Sequence, residues 1–271
     1  MICKTCCHNY EAALGGFVFG VPCLMLKKSP IISYGSQHAL REMCIRERAD
    51  GDEVEDARSD QQFNVRMADS HGLREAASIL IKKMYSWRGY ALDAPLDAHS
   101  PHRMTLVTDT DDTTVGTMTL CFEGEEGLPA DDNFKDRLNM LRADGCRLCE
   151  PSRLAIDPHM PKRVFAAMIH ISYIYAHNIH GQTDYVIEVN PRHALFYKKM
   201  LGFVEFGEQR LCTRVNAPAV LLHLPLSYMK DQIERFGGLM EGQTNEKSFY
   251  PYFFSPHDEP GITDRLRYGR N

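Results

Sequence analysis

The stretch from Tyr185 to Phe203 constrains this chain more than any other. Tyr185–Val189 is a short, strongly apolar run and reads as a buried strand. Asn190-Pro191 comes next. Asparagine is a good helix cap, and proline is favoured at the first helical position. The helix so begun runs to Gly202, which stops it, and Phe203 opens another apolar stretch. Strand, capped helix and returning strand follow one another with almost no linker.

The rest of the chain extends that alternation. Phe63–Met67 alternates apolar and polar residues, as a half-buried strand does. Ser70 can cap a helix whose apolar face is Leu73, Ala76, Ala77, Leu80, Met84 and Trp87, with Gly89 as its end. Arg103–Thr108 and Val115–Phe122 read as strands around an acidic turn, Asp109–Asp112. A loop at Gly124–Pro129 leads to a short helix with Phe134, Leu138 and Leu141 on one face. Arg147–Ile156 is a strand and Val164–Ile179 a long apolar helix. Phe203–Arg214 and Val220–Leu226 supply the last strands, and Tyr228–Phe236 looks helical. The predicted architecture is α/β, a mixed central sheet with helices on both faces.

Composition fits a globular domain with extensions: 271 residues, 44% apolar and 25% charged. A net charge of −5 argues against a nucleic-acid binder, since phosphates need a basic surface. Nine cysteines, an odd number in a long chain, read as reduced thiols rather than a disulfide scaffold. Cys146 and Cys149 form a C-x-x-C without a second pair, and Cys3, Cys6, Cys7 and His8 lie in a start that looks unstructured. Neither is expected to bind metal. Ala12–Leu26 is apolar but too short to span a bilayer and poorly flanked for a signal peptide, so a cytoplasmic protein is expected. Arg41–Gln62 is dense in charge without an apolar period. Residues 1–62 are therefore expected to be an N-terminal extension, partly disordered or helical, and dispensable. Residues 63–228 would form the domain, and 229–271 a C-terminal helix and a tail with no evident place.

The residues Asn190-Pro-Arg-His-Ala194-Leu-Phe-Tyr197-Lys-Lys-Met-Leu-Gly202-Phe203 resemble the late strand–helix–strand signature of GNAT acyltransferases, with Gly-Phe one residue later than usual. Glu150-Pro-Ser152-Arg153-Leu-Ala-Ile-Asp157 is similar to the Glu-x-Ser-Arg strand of acyl-homoserine-lactone synthases. Val215–Leu222 and the Gly127-Leu-Pro stretch resemble the long-chain N-acyl amino acid synthases, a sister group on the same fold. The resemblance covers about Phe63 to Leu226. It implies the GNAT fold, a long-chain acyl thioester as donor, the α-amine of an amino acid as acceptor and no tightly bound cofactor. An acyl-homoserine-lactone synthase, which would also bind S-adenosylmethionine, and a non-catalytic lipid-binding module are the alternatives.

Acyl transfer to an amine needs a base, because an α-amine is largely protonated at neutral pH. Glu150, in an apolar strand, is the candidate, since burial raises a carboxyl pKa toward the useful range. An ion pair with Arg147 or Arg153 is its structural alternative. Ser152 shares the face of Glu150 by strand parity and can orient base or substrate, or simply bond a neighbour. Arg153 can hold a substrate carboxylate bidentately, although parity turns it away and favours a salt bridge. The resemblance places Tyr197 as general acid for the departing thiol; core packing is its plain alternative. Asn190 is a candidate substrate-binding residue, though its place at a strand end and its role as a cap alone explain it. His170, His177 and His180 share one helix, without a carboxylate there, and read as surface or helix-end residues.

The donor is expected to be acyl carrier protein rather than acyl-coenzyme A. In GNAT enzymes a glycine-rich turn after the central strand holds the coenzyme's pyrophosphate on backbone N–H groups. Here Asp157-Pro158-His159-Met160-Pro161-Lys162-Arg163-Val164 has no glycine, and its prolines lack N–H donors. An acyl-phosphopantetheine thioester on a carrier has no diphosphate to place. Lys162 and Arg163, with Arg192, Lys198 and Lys199 on the nearby helix, can dock an acidic carrier, or be ordinary solvated charges.

Overall fold

The computed structural model describes residues 32–35, 62–68, 70–87, 102–110, 113–239 and 243–268. The cysteine cluster at residues 3–8, the apolar run 12–26, the charged stretch up to residue 61 and the helix stop at Gly89 lie outside them. The order is β1 (Ile32–Gly35), β2 (Gln62–Met67), α1 (His71–Trp87), β3 (Arg103–Thr110), β4 (Thr113–Phe122), α2 (Asp131–Ala143) and β5 (Leu148–Ile156). Then come α3 (Lys162–Tyr173), β6 (Asp184–Val189), α4 (Pro191–Leu201), β7 (Val204–Glu205), β8 (Arg210–Cys212), β9 (Ala217–Pro225), α5 (Leu226–Phe236) and α6 (Glu259–Tyr268).

The strands form one mixed sheet in the order β1-β2-β3-β4-β5-β6-β9-β7, with β8 also paired to β9. Among the described strands every pairing is antiparallel except β5 with β6. β1 lies inside the 1–62 segment read as an extension, so the sheet begins before residue 63. Four residues beside a long charged stretch are too few to register as a strand in the sequence.

Local chemistry sets the helices. Ser70 Oγ accepts the Leu73 N–H (3.3 Å) at the start of α1. Asn190 Oδ1 accepts the Arg192 N–H (3.1 Å) at the start of α4, and Gly202 ends that helix in the left-handed region at φ 85°. α1 and α2 cover one face of the sheet, α2 through Phe134, Leu138 and Leu141 against Leu148, Val186 and Leu221. α3, α4 and α5 cover the other face.

α3 is buried all round, from Val164 to Tyr173, so it needs cover on both sides. The C-terminal tail gives the second cover. Phe249, Tyr250, Phe253, Phe254 and Ile262 join the same core as α3. The boundary drawn at 228 therefore falls inside α5, and the segment beyond it is part of the core. The helix read as Val164–Ile179 changes after Tyr173 into a π-helical turn, Ile174–Ile179. The stretch read as one strand over Phe203–Arg214 is two short ones, β7 and β8.

His170 is a correction to the surface reading. It is fully buried, and its ring stacks on Phe253 and Phe254. The Phe254 N–H donates to His170 Nδ1 (3.0 Å), so in the neutral ring Nε2 carries the proton and donates to Glu259 (3.1 Å). His177 is half-buried at the helix end, with Nδ1 3.0 Å from the Gln182 carbonyl, and His180 is exposed.

Candidate active site

The site sits where the sheet splits. β5 and β6 pair only through Leu148↔Asp184 and Cys149↔Tyr185, then diverge toward their C-terminal ends. The divergence coincides with a bulge in β5. Thr117 pairs with Ala155 but Thr119 with Ser152, so β5 spends one extra residue. Arg153 takes it up at φ 50°, a left-handed backbone rare for a residue with a side chain. A cavity of about 790 Å³ fills the cleft.

Two chemically different walls meet in that cavity. On the α3 side it is lined by Met118, Ile169, Tyr185, Leu201, Phe203 and Met229, all core residues. On the α2 side Asp132, Glu150, Ser152, Glu188 and Arg214 bring charge and polarity to it, set among the apolar Cys121, Leu128 and Ala219. Glu150 stands one residue above the last β5–β6 pair, opposite Cys121 on β4.

Glu150 is 3% exposed. The Ala130 N–H, just before α2, donates to its Oε2 (2.7 Å). Burial pushes its carboxyl up to about 8; the Ala130 N–H and the Arg214 charge oppose that rise, and Glu188 and Asp131 add to it. No described ion pair joins Glu150 to Arg147 or Arg153, the structural alternative read from sequence.

The other predicted residues divide. Ser152 lines the cavity, donates to the Thr119 carbonyl (3.3 Å) and lies 3.5 Å from Cys121 Sγ. Arg153 lines it as well, so strand parity misled: the bulge resets which way the side chain leaves the strand. Tyr197, on α4, lines the cavity with its ring edge-on to Phe203. Asn190 reaches the cavity while capping α4.

Lys162 and Arg163 open α3, half-buried; Arg192, Lys198 and Lys199 are exposed on α4, and Lys198 pairs with Glu205 (2.9 Å). The turn before α3 is closed on itself. Asp157 takes the His159 N–H on its side chain (3.0 Å) and the Met160 N–H on its carbonyl (3.0 Å).

Arg214 escaped the sequence reading. It follows β8 in a loop, lines the cavity, and its guanidinium bonds the Glu188 carboxylate. Asn133 donates to the other Glu188 oxygen (3.0 Å). A loop arginine carries no periodic signal; only the tertiary fold brings it to Glu150. The C-x-x-C pair are free thiols: Cys149 is buried, and burial with the Asp184 charge raises Cys146 to about 11. Among the described residues no helix is long and apolar enough to cross a membrane, and no cluster of side chains could hold a metal.

The comparisons agree with this architecture. The solved structure of FeeM, an N-acyl amino acid synthase from uncultured soil microbes, superposes with a TM-score of 0.56 at 24% identity, over 63% of this chain and 94% of that one. Two weaker likenesses are to a putative N-acetyltransferase from Lactobacillus plantarum (TM-score 0.44, 15% identity, 60% of this chain and 98% of that one) and to the AHL synthase LasI (0.42, 13%, 60% and 90%). No curated protein matches the sequence. The profile of the N-acyl amino acid synthase FeeM family matches residues 76–225, more than half of the chain and every strand from β3 to β9. This GNAT-fold chain belongs to the FeeM family and is an acyltransferase.

Proposed function

We propose that the protein transfers a long-chain fatty acyl group from an acyl carrier protein thioester to the α-amine of an amino acid. One observation carries this reading: a buried, proton-accepting carboxyl stands where an apolar wall and a charged wall of one cavity meet. The apolar wall suits an acyl chain and the charged wall an amino acid. The split between β5 and β6 suits a thioester laid between them.

Glu150 accepts a proton from the acceptor's ammonium, directly or through water. The freed amine attacks the thioester carbonyl, the C–S bond breaks as the tetrahedral adduct collapses, and the nitrogen's surplus proton goes to the departing sulfur, giving the amide and the free thiol. A base works best with a pKa near the working pH, which a carboxyl at about 8 meets and an ordinary one does not. Ser152 orients the reacting groups, and Tyr197 meets the departing sulfur. Of the arginines that line the cavity, Arg103, Arg153 and Arg214, the last two are the candidates for the acceptor's carboxylate, and Asn190 lines it too.

The carrier is favoured because Asp157 already holds the N–H groups of His159 and Met160, and Pro158 and Pro161 have none. Little of the turn is left to grip a pyrophosphate. Lys162, Arg163, Arg192, Lys198 and Lys199 give an acidic carrier a basic face. The test is a side-by-side assay with one acyl chain on carrier protein and on coenzyme A. Higher kcat/KM with the carrier, falling when Lys162 and Arg163 are both changed to Glu, is expected. Equal or better kcat/KM with the coenzyme thioester contradicts the donor assignment.

A further inference from the structure

The family match ends at residue 225, yet one residue beyond it lines the cavity. Met229 lies on α5, whose buried face is Leu226, Met229 and Ile233 at helical spacing. It is fully buried and belongs to the apolar wall.

Strand register fixes its depth. β5 and β6 separate above Cys149 and Tyr185, so Tyr185 marks the floor and Val189 and Asn190 the mouth. From Tyr185 to Val189 is four residue steps, about 13 Å of strand. β9 runs antiparallel to β6, with Leu224 opposite Tyr185 and Pro225 opposite Asp184. α5 starts at the next residue, where the Leu226 N–H donates to the Thr183 carbonyl (2.8 Å). Met229, one turn on, thus comes to the cavity from its floor.

The floor is also braced from behind. Leu201, on the same apolar wall, gives its carbonyl to the Tyr250 hydroxyl (2.6 Å), and the Phe249 N–H donates to the Met200 carbonyl (3.0 Å). The Tyr185 hydroxyl is spent on Ser172 (2.9 Å). A wall tied this way resists deepening. Met229 itself is an unbranched thioether, so its length can change with no hydrogen bond to keep; Met118, the other thioether of that wall, lies on β4 rather than at the floor.

We infer that Met229, supplied by the C-terminal segment outside the family match, is the end wall of the acyl site and sets the longest chain the enzyme accepts. The inference rests on the acyltransferase reading above. Its test measures kcat/KM for saturated acyl thioesters of increasing length, with the same acceptor, in wild type, Met229→Ala and Met229→Phe. Shortening the side chain is expected to move the optimum to longer chains, by about fourfold in relative kcat/KM for each further methylene buried. Met229→Phe should move it to shorter ones. Because Met229→Ala opens a buried site, wild-type enzyme is also labelled with a fatty acyl thioester bearing a terminal photoreactive diazirine. Crosslinks to the peptide holding Met229 are expected. Active variants with an unshifted chain profile, or labelling that avoids residues 226–236, would overturn the inference and leave the acyltransferase reading intact. No acyl transfer by wild type with any donor would instead fail that reading.

Discussion

Glu150 is where sequence, burial and chemistry meet. Glu150→Gln keeps the volume and the acceptor for the Ala130 N–H but removes the proposed base. Turnover should fall on the order of 10²-fold or more. In wild type kcat/KM should rise with pH through about 8, as the carboxyl loses its proton; in the variant the rise should follow the acceptor's own amine instead. Wild-type turnover in purified Glu150→Gln protein contradicts the assignment. The same group affects stability. Its folded pKa lies above its unfolded value, so its contribution is present below about 4.5 and is lost as pH rises to about 8. Glu150→Gln should therefore gain on wild type, by a few kcal/mol at most, in melts at pH 8 to 9 compared with pH 5. An unchanged difference between those pH values contradicts the burial argument. Glu150 was legible because an acid in an apolar strand is conspicuous. Arg153 was legible as a residue but not in direction, since one bulge inverts strand parity. Arg214 was not legible at all, because loop residues meet a site only through the fold.

At the scale of elements, the segment Asp184 to Phe203 reads correctly because every signal in it is local: an apolar strand, a side-chain cap, a proline and a glycine stop. Gly202 shows how strict one of them is. Its φ is 85°, and a Cβ there would overlap the Tyr228 ring on α5. Gly202→Ala should destabilise the protein by roughly 1–3 kcal/mol, from backbone strain and displacement of α5. An unchanged urea midpoint would show that α4 and α5 are not locked at this turn. Elements built on distant pairing read less well. β1 is a strand because β2 offers it an edge, and β7 and β8 are separate strands because each meets a different part of β9. The split between β5 and β6, which makes the site, coincides with a bulge that no residue type announces.

At the scale of the molecule, the tail turns a family domain into this protein's particular core. His170 and Glu259 hold it, with Asn178 donating to the second Glu259 oxygen (2.6 Å). Burial lowers the His170 pKa; burial raises that of Glu259, but His170 and Asn178 pull it lower overall. In both cases the unfolded chain binds protons that the native clasp does not, so the clasp contributes fully near neutral pH and weakens on acidification. His170→Ala takes that partner from the buried Phe254 N–H and from the half-buried Glu259 carboxylate, a loss of roughly 2 kcal/mol. The urea midpoint should fall, and the stability lost by wild type below about pH 6.5 should shrink. A variant as stable as wild type would show that the tail is held elsewhere.

The central claim, acyl transfer to an amino acid at Glu150, is tested most directly by mass spectrometry of lipid extracts from cells expressing wild type or Glu150→Gln. The account predicts a new N-acyl amino acid with wild type and little or none with the variant. An acyl-homoserine lactone, no new product, or the same yield from both proteins would contradict it.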